Sequence, residues 1–337
     1  MSEIFRGCKA MAELLPEIPD LVQCLQALLA QVPAGRVTTY GTLAEALGNP
    51  IAARWVGYFA LHHDHTAGCR CHRIVRADGG LGKFIGGSER AKARLLTAEG
   101  VRVAGSAVDL AKFGHDRFVT GRPLEELKRA QESLVKRVSL RPRKRIPKLV
   151  AGVDVSYPTA SEGIAAYALV ETKTGRLVWS KAIRRPVAFP YITTYLSFRE
   201  LPLLLDLIEE VRTAGKMAEV LLVDGSGVLH HRHAGIAAHL GVAASLPTIG
   251  VTKKLLCGKV NIEGMRPRES RPVLLGEEPA GVAIRTSEGS RRPIFISPGH
   301  RLDLAYSECL VRQLLIGRRL PEPLYWADRL SRTGAAE

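Results

Sequence analysis

Three short apolar runs in the second half of the chain constrain its fold more than any other feature. The runs at 148–155, 163–170 and 219–223 have the length and β-branched content of buried strands, and a helical pattern at 198–213 lies between the last two. The first two runs can pair as a hairpin, and the helix can carry the chain across to a further strand. We therefore expect an α/β domain with a mixed central sheet.

The first half of the chain has a different pattern, dominated by short helices. A helical pattern at 21–31 is followed by two more at 42–47 and 51–62, which Gly48-Asn49-Pro50 separates. Helix, tight turn and helix form a DNA-docking motif, in which the second helix enters the groove. This half therefore predicts a helix-turn-helix domain.

The length of the chain predicts two domains. With 337 residues the chain can build two hydrophobic cores. A helix at 92–98 is expected near the end of the first domain, and an amphipathic helix at 124–138 is expected to open the second. We place the boundary near residue 120, which gives domains 1–120 and 121–337.

The chain is strongly basic, with a formal net charge of +15. This charge favours a polyanionic partner, because neutralised phosphates release their condensed counterions. The basic stretch at 140–148 is either a solvated linker or a strip that contacts phosphates. No apolar run approaches the roughly 18 to 20 residues of a membrane span, and acidic residues interrupt the first 30 residues, where a signal peptide would lie. We expect a cytoplasmic monomer without a membrane partner.

One cysteine has neighbours that suit a nucleophile. Six cysteines scattered over a long chain do not form a disulfide framework. Cys71 is followed by His72 and Arg73, and a neighbouring imidazole or cation stabilises a thiolate. The sequence therefore makes Cys71 a candidate nucleophile.

A zinc site is the alternative interpretation of the same region, because thiolate and imidazole groups are the ligands that zinc prefers. Their spacing fits no standard zinc pattern. The candidate ligands are His62, His63, His65, Cys69, Cys71 and His72.

The first half resembles the O6-alkylguanine-DNA alkyltransferases. The segments that carry the resemblance are PAGRVTTYG at 33–41, AARWVG at 52–57, CHRIV at 71–75 and LLTAEG at 95–100. Their order and spacing match over roughly residues 17–117, the length of that family's active-site domain. The resemblance implies a winged-helix-like alkyltransferase domain that extrudes a damaged guanine from the base stack.

The alkyltransferase resemblance also implies residue roles. Cys71 would accept the alkyl group, His72 would draw its proton through a water, and Glu99 would orient the histidine. Arg54 corresponds to an intercalating arginine and Tyr40 to a residue that presses on the target phosphate. The residues expected to contact DNA are Tyr40, Arg54 and Arg73. Three positions depart from the family pattern: His63, Arg70 and Phe84 replace an asparagine, a proline and a tyrosine.

Two acidic residues in the second half point to a metal centre. Asp154 lies inside an apolar strand, where an unpaired charge is costly, and Asp224 follows the apolar run at 219–223. A divalent metal that activates water against a phosphodiester needs carboxylates brought together from distant parts of the chain. A paired buried aspartate and a turn-capping aspartate are the structural alternative.

The second half resembles endonuclease V over about residues 122–320. The segments that carry the resemblance are AGVDVSY at 151–157, PYI at 190–192, LSFRELP at 196–202, DGSG at 224–227, PTIGVTK at 247–253 and SPGHR at 297–301. The resemblance implies a ribonuclease H-like α/β domain that cuts DNA at the second phosphodiester 3′ to deoxyinosine.

The endonuclease V resemblance implies a site with Mg²⁺, or Mn²⁺, as its cofactor. The expected metal-binding residues are Asp154, Glu200 and Asp224. Lys253 and His300 are expected to act in catalysis, by stabilising charge or positioning water and phosphate. The residues expected to contact DNA are His230 and Tyr191, the latter in a wedge that separates the strands. Thr193 and Thr194 follow the wedge in place of the family's proline and glycine.

The two resemblances together predict a bifunctional DNA-repair protein. One half would take alkyl groups from O6-alkylguanine, and the other would cut next to deoxyinosine. Two alternatives stay open at this point: the first half only senses alkylated DNA, or the nuclease prefers inosine in RNA.

Overall fold

The computed structural model describes residues 16–65, 68–290 and 292–334. The chain divides into two compact units, the first made of Glu17–Arg129 with Phe189–Thr193 and the second of Ala130–Ala188 with the residues from Thr194 onward. A continuous helix, Pro123–Leu134, runs across the division between Arg129 and Ala130. The expected boundary near residue 120 stays a prediction.

The first unit consists of short helices and two-residue strands. Its helices are α1 (Leu21–Gln31), α2 (Tyr40–Ala46), α3 (Ala53–His62), α4 (Glu89–Ala98) and α5 (Leu110–Phe113), followed by the start of α6 (Pro123–Leu134). Its strands are β1 (Thr38–Thr39), β2 (Ile74–Val75), β3 (Val103–Ala104) and β4 (Ala107–Val108). β1 pairs in parallel with β2, which directly follows a 3-10 turn at Cys71–Arg73, and β3 pairs antiparallel with β4.

Local capping explains why the chain turns between α2 and α3. The Thr39 hydroxyl accepts a hydrogen bond from the Thr42 N–H and begins α2. Gly48 has φ +104°, a conformation that favours glycine, and the Asn49 side chain accepts from the Ile51 N–H to begin a 3-10 turn at Pro50–Ala52. The two predicted helices on either side of this turn are present.

The second unit is built on one eight-stranded sheet. Its strands are β5 (Leu149–Thr159), β6 (Glu162–Glu171), β7 (Leu177–Pro186), β8 (Leu221–Asp224), β9 (Thr248–Thr252), β10 (Ser270–Leu275), β11 (Glu278–Ile284) and β12 (Ile294–His300). Its helices are the end of α6, α7 (Leu196–Thr213), α8 (Ile236–Ala244), α9 (Leu304–Gln313) and α10 (Glu322–Thr333). The spatial order is β10-β11-β12-β9-β8-β5-β6-β7.

The sheet is mixed, as the sequence predicts. β5 pairs antiparallel with β6, and α7 carries the chain over to β8, which is parallel to both β5 and β9. The register sets Val153 opposite Val223, so that Asp154, in the middle of β5, lies beside Asp224 at the end of β8. This parallel pairing is what positions the candidate site.

Helices cover the sheet and complete two main hydrophobic cores. α7 and α8 contribute Leu204, Ile208 and Leu240 to one core, and α9 and α10 contribute Leu310 and Leu324 to the other. α10 lies very close to β5: a Cβ added to Gly152 would meet the Pro323 carbonyl at 2.4 Å. Glycine at this position lets the last helix approach the strand that carries Asp154.

No helix in the described part of the chain is long and apolar enough to cross a bilayer. The described cysteines, Cys24, Cys69, Cys71, Cys257 and Cys309, are all free thiols. Cys8 and the other residues of 1–15, on which part of the expectation about a signal peptide depends, lie outside the described residues.

Candidate functional site

Three aspartate carboxylates converge in the second unit. Asp154 lies in β5, Asp224 ends β8, and Asp328 comes from α10. One oxygen of each carboxylate lies within 4.8 Å of one oxygen of the other two. Carboxylate oxygens at such separations fit a hard divalent cation such as Mg²⁺ or Mn²⁺.

The electrostatics of this group are those of a crowded acidic site. Burial, and then the charge of Asp224, raise the pKa of Asp154 to about 7. Lys253, directly after β9, places its Nζ 2.9 Å from Oδ2 of Asp224 and 2.8 Å from Oδ1 of Asp328. The Ser331 hydroxyl donates to Oδ2 of Asp154 at 2.6 Å. These contacts hold the carboxylates together, and a bound cation would relieve their mutual repulsion.

Glu200 lies beside this group but is not one of the three converging carboxylates. It is buried in α7, and the Tyr157 hydroxyl donates to its Oε1 at 3.0 Å. Burial raises its pKa to about 8, with a further contribution from the charges of Asp154 and Asp224. Glu200 is therefore close enough to the two aspartates for their charges to act on it.

Sequence reasoning missed Asp328. A single aspartate in an amphipathic helix has the sequence pattern of a solvent-exposed residue. One sequence signal was available, the spacing between Asp328 and Ser331. Residues three apart lie on one helical face, and in the structure both side chains take part in the contacts of the acidic group. Only the packing of α10 on β5 reveals that this face points into the site.

His300 lies at the other end of the strands from the carboxylates. It pairs with Thr248 at the start of β9, whereas Lys253 follows the end of that strand. Four residues of extended strand span roughly 13 Å. The Nδ1 atom of His300 accepts from the Ser139 N–H at 3.2 Å. The sequence analysis expected His300 to act in catalysis. The structure instead places it away from the acidic group.

The other expected contacts of the nuclease half differ in exposure. Tyr191 of the expected wedge is 63% exposed. His230 is buried, and burial followed by the charge of Arg232 lowers its pKa to about 3, so that its imidazole is neutral at neutral pH. Tyr191 is available to a nucleic acid, and His230 is not a surface cation.

Cys71, the candidate nucleophile of the first unit, begins a 3-10 turn, Cys71–Arg73, that lies next to the Glu99 carboxylate at the end of α4. The Nε2 of His72 lies 2.9 Å from Oε1 of Glu99, so that the carboxylate holds the imidazole in place. Cys71 itself is fully buried. Burial, and then a hydrogen bond with Cys69, raise its thiol pKa to about 12.

Arg73 has a structural contact instead of the DNA contact expected from the sequence. Its guanidinium donates to both oxygens of Glu99, at 2.8 and 2.6 Å, and to the Val32 carbonyl at 2.6 Å, and the residue is buried. With these donors engaged, Arg73 is not free to bind a phosphate. This expectation is corrected, because a fork-shaped bidentate pair holds the arginine in the interior.

The two other residues expected to contact DNA have different surroundings. Arg54 is exposed on α3, the second helix of the helix-turn-helix. Tyr40 is partly buried at the start of α2, and burial raises its pKa. Arg54 is thus accessible from solvent on the helix expected to enter a groove.

Lys92 is a second residue that sequence reasoning missed. It is fully buried in α4, and its ammonium donates to the Ile74 and Leu81 carbonyls. Burial lowers its pKa to about 8, and its charge acts against the elevated pKa of Cys71. A helical lysine has no sequence signal that distinguishes it from a surface lysine, so only the fold identifies it as a cation near the sulfur.

A cleft of about 430 Å³ lies next to the cysteine region. Its lining includes Phe59, His63, Cys69 and Arg70. Cys71 is not part of this lining, so its sulfur is covered in this conformation. A base could reach Cys71 only after the covering residues move.

The basic stretch at 140–148 is partly paired. Arg143 binds Glu219 at 2.5 Å, and Arg145 lies 3.7 Å from the same carboxylate. Arg141 donates to the Ser139 hydroxyl at 2.9 Å. Ion pairing thus engages part of this stretch.

Comparison with known proteins identifies two families along the chain. Residues 132–329 match the Endonuclease V family, and residues 21–101 match the family described as 6-O-methylguanine DNA methyltransferase, DNA binding domain. A protein named bifunctional methyltransferase/endonuclease from Picrophilus torridus is 31% identical over 296 residues, which cover 88% of this chain and 90% of the relative.

Relatives of the second unit agree with this division. Endonuclease V of Geotalea uraniireducens is 40% identical over 211 residues, 62% of this chain and 87% of the relative. The crystal structure of the catalytic domain of human endonuclease V superimposes with a TM-score of 0.60 at 34% identity, and covers 64% of this chain and 97% of that domain. The eight-stranded α/β unit therefore has the fold of this family.

Proposed function

Because this chain belongs to the endonuclease V family, and within it to the proteins that also carry a 6-O-methylguanine methyltransferase DNA-binding domain, we propose that it repairs DNA in two ways. The first unit would transfer alkyl groups from O6-alkylguanine to Cys71. The second, of ribonuclease H-like type, would cut DNA at the second phosphodiester 3′ to deoxyinosine. The proposed location is the cytoplasm, where the protein would act as a monomer.

The observation that carries this proposal is the presence of two chemically different centres in separate units. One contains the Cys71 thiol, which the hydrogen-bonded pair of His72 and Glu99 accompanies in the same turn, and the other is a group of three carboxylates with a lysine. A thiolate accepts carbon groups, whereas carboxylates hold metals that act on phosphate esters. Neither set of groups can perform the chemistry of the other.

In the nuclease unit, the proposed metal ligands are Asp154, Asp224 and Asp328. When bound there, Mg²⁺ or Mn²⁺ would act as a Lewis acid on the phosphodiester and favour ionisation of a water. Lys253 would hold Asp224 and Asp328 in position and add positive charge beside the phosphate. Glu200, fixed by the Tyr157 hydroxyl, would complete the site through water.

Recognition of the lesion would depend on the exposed wedge. Tyr191 would insert between bases around inosine, an insertion that costs less where pairing is already weak. The exposed aromatic ring provides a stacking surface. His300, far from the carboxylates, would support the fold around Ser139 instead of acting on the phosphate.

In the alkyltransferase unit, the sulfur of Cys71 would form a bond to the alkyl carbon as the bond from that carbon to guanine O6 breaks. The electron pair stays on the guanine, which receives the proton that the thiol gives up. His72 would carry this proton, since Glu99 binds its Nε2 and leaves Nδ1 to accept. Lys92 would favour the thiolate electrostatically. The resulting thioether is stable, so each molecule would react once.

A second candidate for the first unit is binding without transfer. The full burial of Cys71 and the elevated pKa of its thiol favour it, because a covered, protonated thiol is a poor nucleophile. In this case the unit would recognise alkylated DNA and bring the nuclease to it. Arg54 on the exposed face of α3 would serve either function.

Three proteins separate the two activities: wild type, Cys71→Ala and Asp154→Asn. Each is incubated with DNA that carries labelled O6-methylguanine and, separately, with DNA that carries one deoxyinosine. We expect label on the wild type and Asp154→Asn only, and nicking by the wild type and Cys71→Ala only. Cys257→Ala and Asp206→Asn, changed outside both centres, should retain both activities.

The outcomes discriminate among the candidates. Stable binding of alkylated DNA without transfer of label to Cys71 would show that the first unit senses alkylated DNA and does not transfer the alkyl group. Loss of both activities from either single change would contradict independent centres. A matched RNA strand with one inosine, cut faster than the DNA strand, would assign the nuclease to RNA.

A further inference from the structure

The covered sulfur of Cys71 belongs to a group of four soft and imidazole side chains. The Nδ1 or Nε2 atoms of His63 and His65 and the sulfurs of Cys69 and Cys71 all lie within 4.8 Å of one another. We propose that these four residues form a tetrahedral Zn²⁺ site, and that the bound metal protects Cys71 from alkylation.

The distances within the group suit one ion. Nε2 of His63 lies 3.0 Å from Sγ of Cys69, and Nδ1 of His65 lies 3.7 Å from Sγ of Cys71. Bonds of about 2.3 Å to sulfur and about 2.0 Å to nitrogen in a tetrahedron place the ligand atoms roughly 3.3 to 3.8 Å apart. Small side-chain shifts would therefore bring all four atoms to one centre.

His63 is oriented in the way that metal-binding histidines usually are. Its Nδ1 lies 2.7 Å from the Phe59 carbonyl oxygen, to which it donates. The proton on Nδ1 leaves the lone pair on Nε2, the atom that faces Cys69. The ring also stacks on Phe59 at 4.5 Å between centroids, so helix α3 fixes its direction. A ligating histidine typically donates its other nitrogen to a carbonyl or carboxylate in this manner.

The fold brings together ligands whose spacing alone gives no zinc signal. His63 directly follows α3, and Cys71 begins the 3-10 turn that leads into β2. His63 and His65 therefore come from the segment just after α3, and Cys69 and Cys71 come from the segment that enters the 3-10 turn. The neighbouring histidines are outside the group: His62 binds the Tyr58 carbonyl, and His72 binds Glu99.

Metal binding would change the state of Cys71. Zinc binds cysteine as thiolate, so the protons of Cys69 and Cys71 would pass to solvent. Four protein ligands leave no open position on a tetrahedral ion, which is the arrangement of structural zinc sites. The Cys71 sulfur would then be a thiolate whose lone pair is held by the metal. A thioether, by contrast, is a poor zinc ligand, so alkylation and metal binding would exclude each other.

The first test is metal binding to the full-length protein, with Co²⁺ as a spectroscopic substitute. Thiolate ligation gives intense sulfur-to-cobalt charge-transfer bands, which the carboxylate group of the other unit cannot produce. We expect these bands to saturate at one Co²⁺ per chain and to disappear when one Zn²⁺ per chain is added. A wild-type protein without these bands would overturn the proposal, whatever the variants do.

Two matched pairs of variants locate the ligands. His63→Ala and Cys69→Ala should lower Zn²⁺ affinity by more than about 100-fold, because loss of a ligand exceeds the effect of loss of a supporting contact. His62→Ala and Cys24→Ala, changed outside the group, should bind as the wild type does. Denaturant unfolding followed through Trp55, in a background where Trp179 and Trp326 are phenylalanine, shows that each variant is folded in its first unit. Equal affinity in all four variants would place the metal elsewhere.

The second test is mutual exclusion. Cys71 in zinc-loaded and chelator-treated protein is reacted with iodoacetamide, and the modified peptide is quantified by mass spectrometry. We expect labelling of Cys71 to slow at least tenfold when zinc is bound, with labelling of the exposed Cys309 unchanged. By linkage, protein already alkylated at Cys71 should bind Zn²⁺ correspondingly more weakly. Equal labelling with and without zinc would overturn the protective role. This test needs no alkylated DNA, so it is independent of the proposed transfer activity.

Discussion

The Nζ atom of Lys253 lies 2.8 Å from Oδ1 of Asp328, and it bridges from there to Asp224 at 2.9 Å. This ion pair connects the end of β9 to α10, two elements distant in sequence. Burial alone would lower the pKa of Lys253. The charges and hydrogen bonds of Asp224 and Asp328 outweigh this effect and raise the pKa, with the charge of Asp224 as the main cause of the increase. The lysine thus holds the last helix over the acidic group.

Asp328→Asn should lower cleavage of inosine-containing DNA by at least about 100-fold, since it removes a proposed metal ligand and the carboxylate bound by Lys253. Raising the Mg²⁺ concentration should restore part of the activity if the variant binds the metal more weakly. Single-turnover nicking measured against Mg²⁺ concentration checks both points. Asp206→Asn, on the exposed face of α7, is the control. Unchanged nicking by Asp328→Asn would remove this residue from the site.

Arg73→Ala should destabilise the first unit by about 3 kcal/mol, because it breaks a buried bidentate pair and leaves Glu99 with only His72. The measurement is denaturant unfolding followed through Trp55, in a background where Trp179 and Trp326 are phenylalanine. DNA affinity of the folded variant should not change.

Arg54→Ala is expected to weaken DNA binding and leave stability unchanged, whereas Arg73→Ala is expected to lower stability and leave DNA binding unchanged. Arg54 is exposed, so its loss should leave unfolding within about 0.5 kcal/mol of wild type. The affinity for DNA should fall by about tenfold, and it should decrease less steeply as the salt concentration rises than it does for the wild type. Fluorescence anisotropy with a labelled duplex at several salt concentrations measures this. If Arg73→Ala weakened DNA binding at unchanged stability, its structural role would be refuted.

The reactivity of Cys71 should increase steeply with pH in metal-free protein. Its thiol pKa is raised to about 12, so the thiol is protonated at neutral pH and the reactive thiolate fraction grows as pH rises. Up to about pH 11 the rate of modification by iodoacetamide should rise about tenfold per pH unit. Peptide mass spectrometry at each pH reports the rate for this one cysteine. A rate that levels off between about pH 9 and pH 10, where an ordinary thiol is mostly ionised, would mean that the thiol pKa is not raised.

Thr194→Gly should stabilise the second unit by about 1 kcal/mol, because Thr194 has φ +70° and a β-branched residue is strained there. Its buried hydroxyl oxygen also has no hydrogen-bond partner among the described residues. Thr193→Gly is the matched control: its φ is not positive, so glycine there relieves no strain and should not stabilise. Unfolding followed through Trp179 and Trp326 compares the two. A less stable Thr194→Gly would show that side-chain packing outweighs the backbone strain.

Hydrophobic periodicity predicted several helices of the first unit and, in the second, the strands and the helix around Asp154 and Asp224. The run at 148–155 became β5, which extends to Thr159 because its pairing with β6 continues past the apolar residues. The helix predicted at 198–213 is α7, which begins two residues earlier than predicted, at Leu196. The division between the units could not be read in the same way, since α6 runs through it without a break in its pattern.

The candidate sites depended on information that local sequence does not contain. Asp154 and Asp224 could be predicted because each ends or interrupts an apolar strand, a pattern that is costly without a function. Asp328 and Lys92 could not, since their roles come from the faces of helices that tertiary packing turns inward. Arg73 was expected to contact DNA, and only its contact with Glu99 shows that its charge is used internally.

The order of the elements along the chain has a consequence for synthesis, because α10 follows all eight strands of the sheet. Strands β5 to β9 leave the ribosome before the helix that carries Asp328, and the close contact of that helix with Gly152 forms last. A growing polypeptide thus holds an incomplete set of acidic side chains until translation has passed α10. Nascent chains that end before α10 would therefore lack one of the three proposed metal ligands.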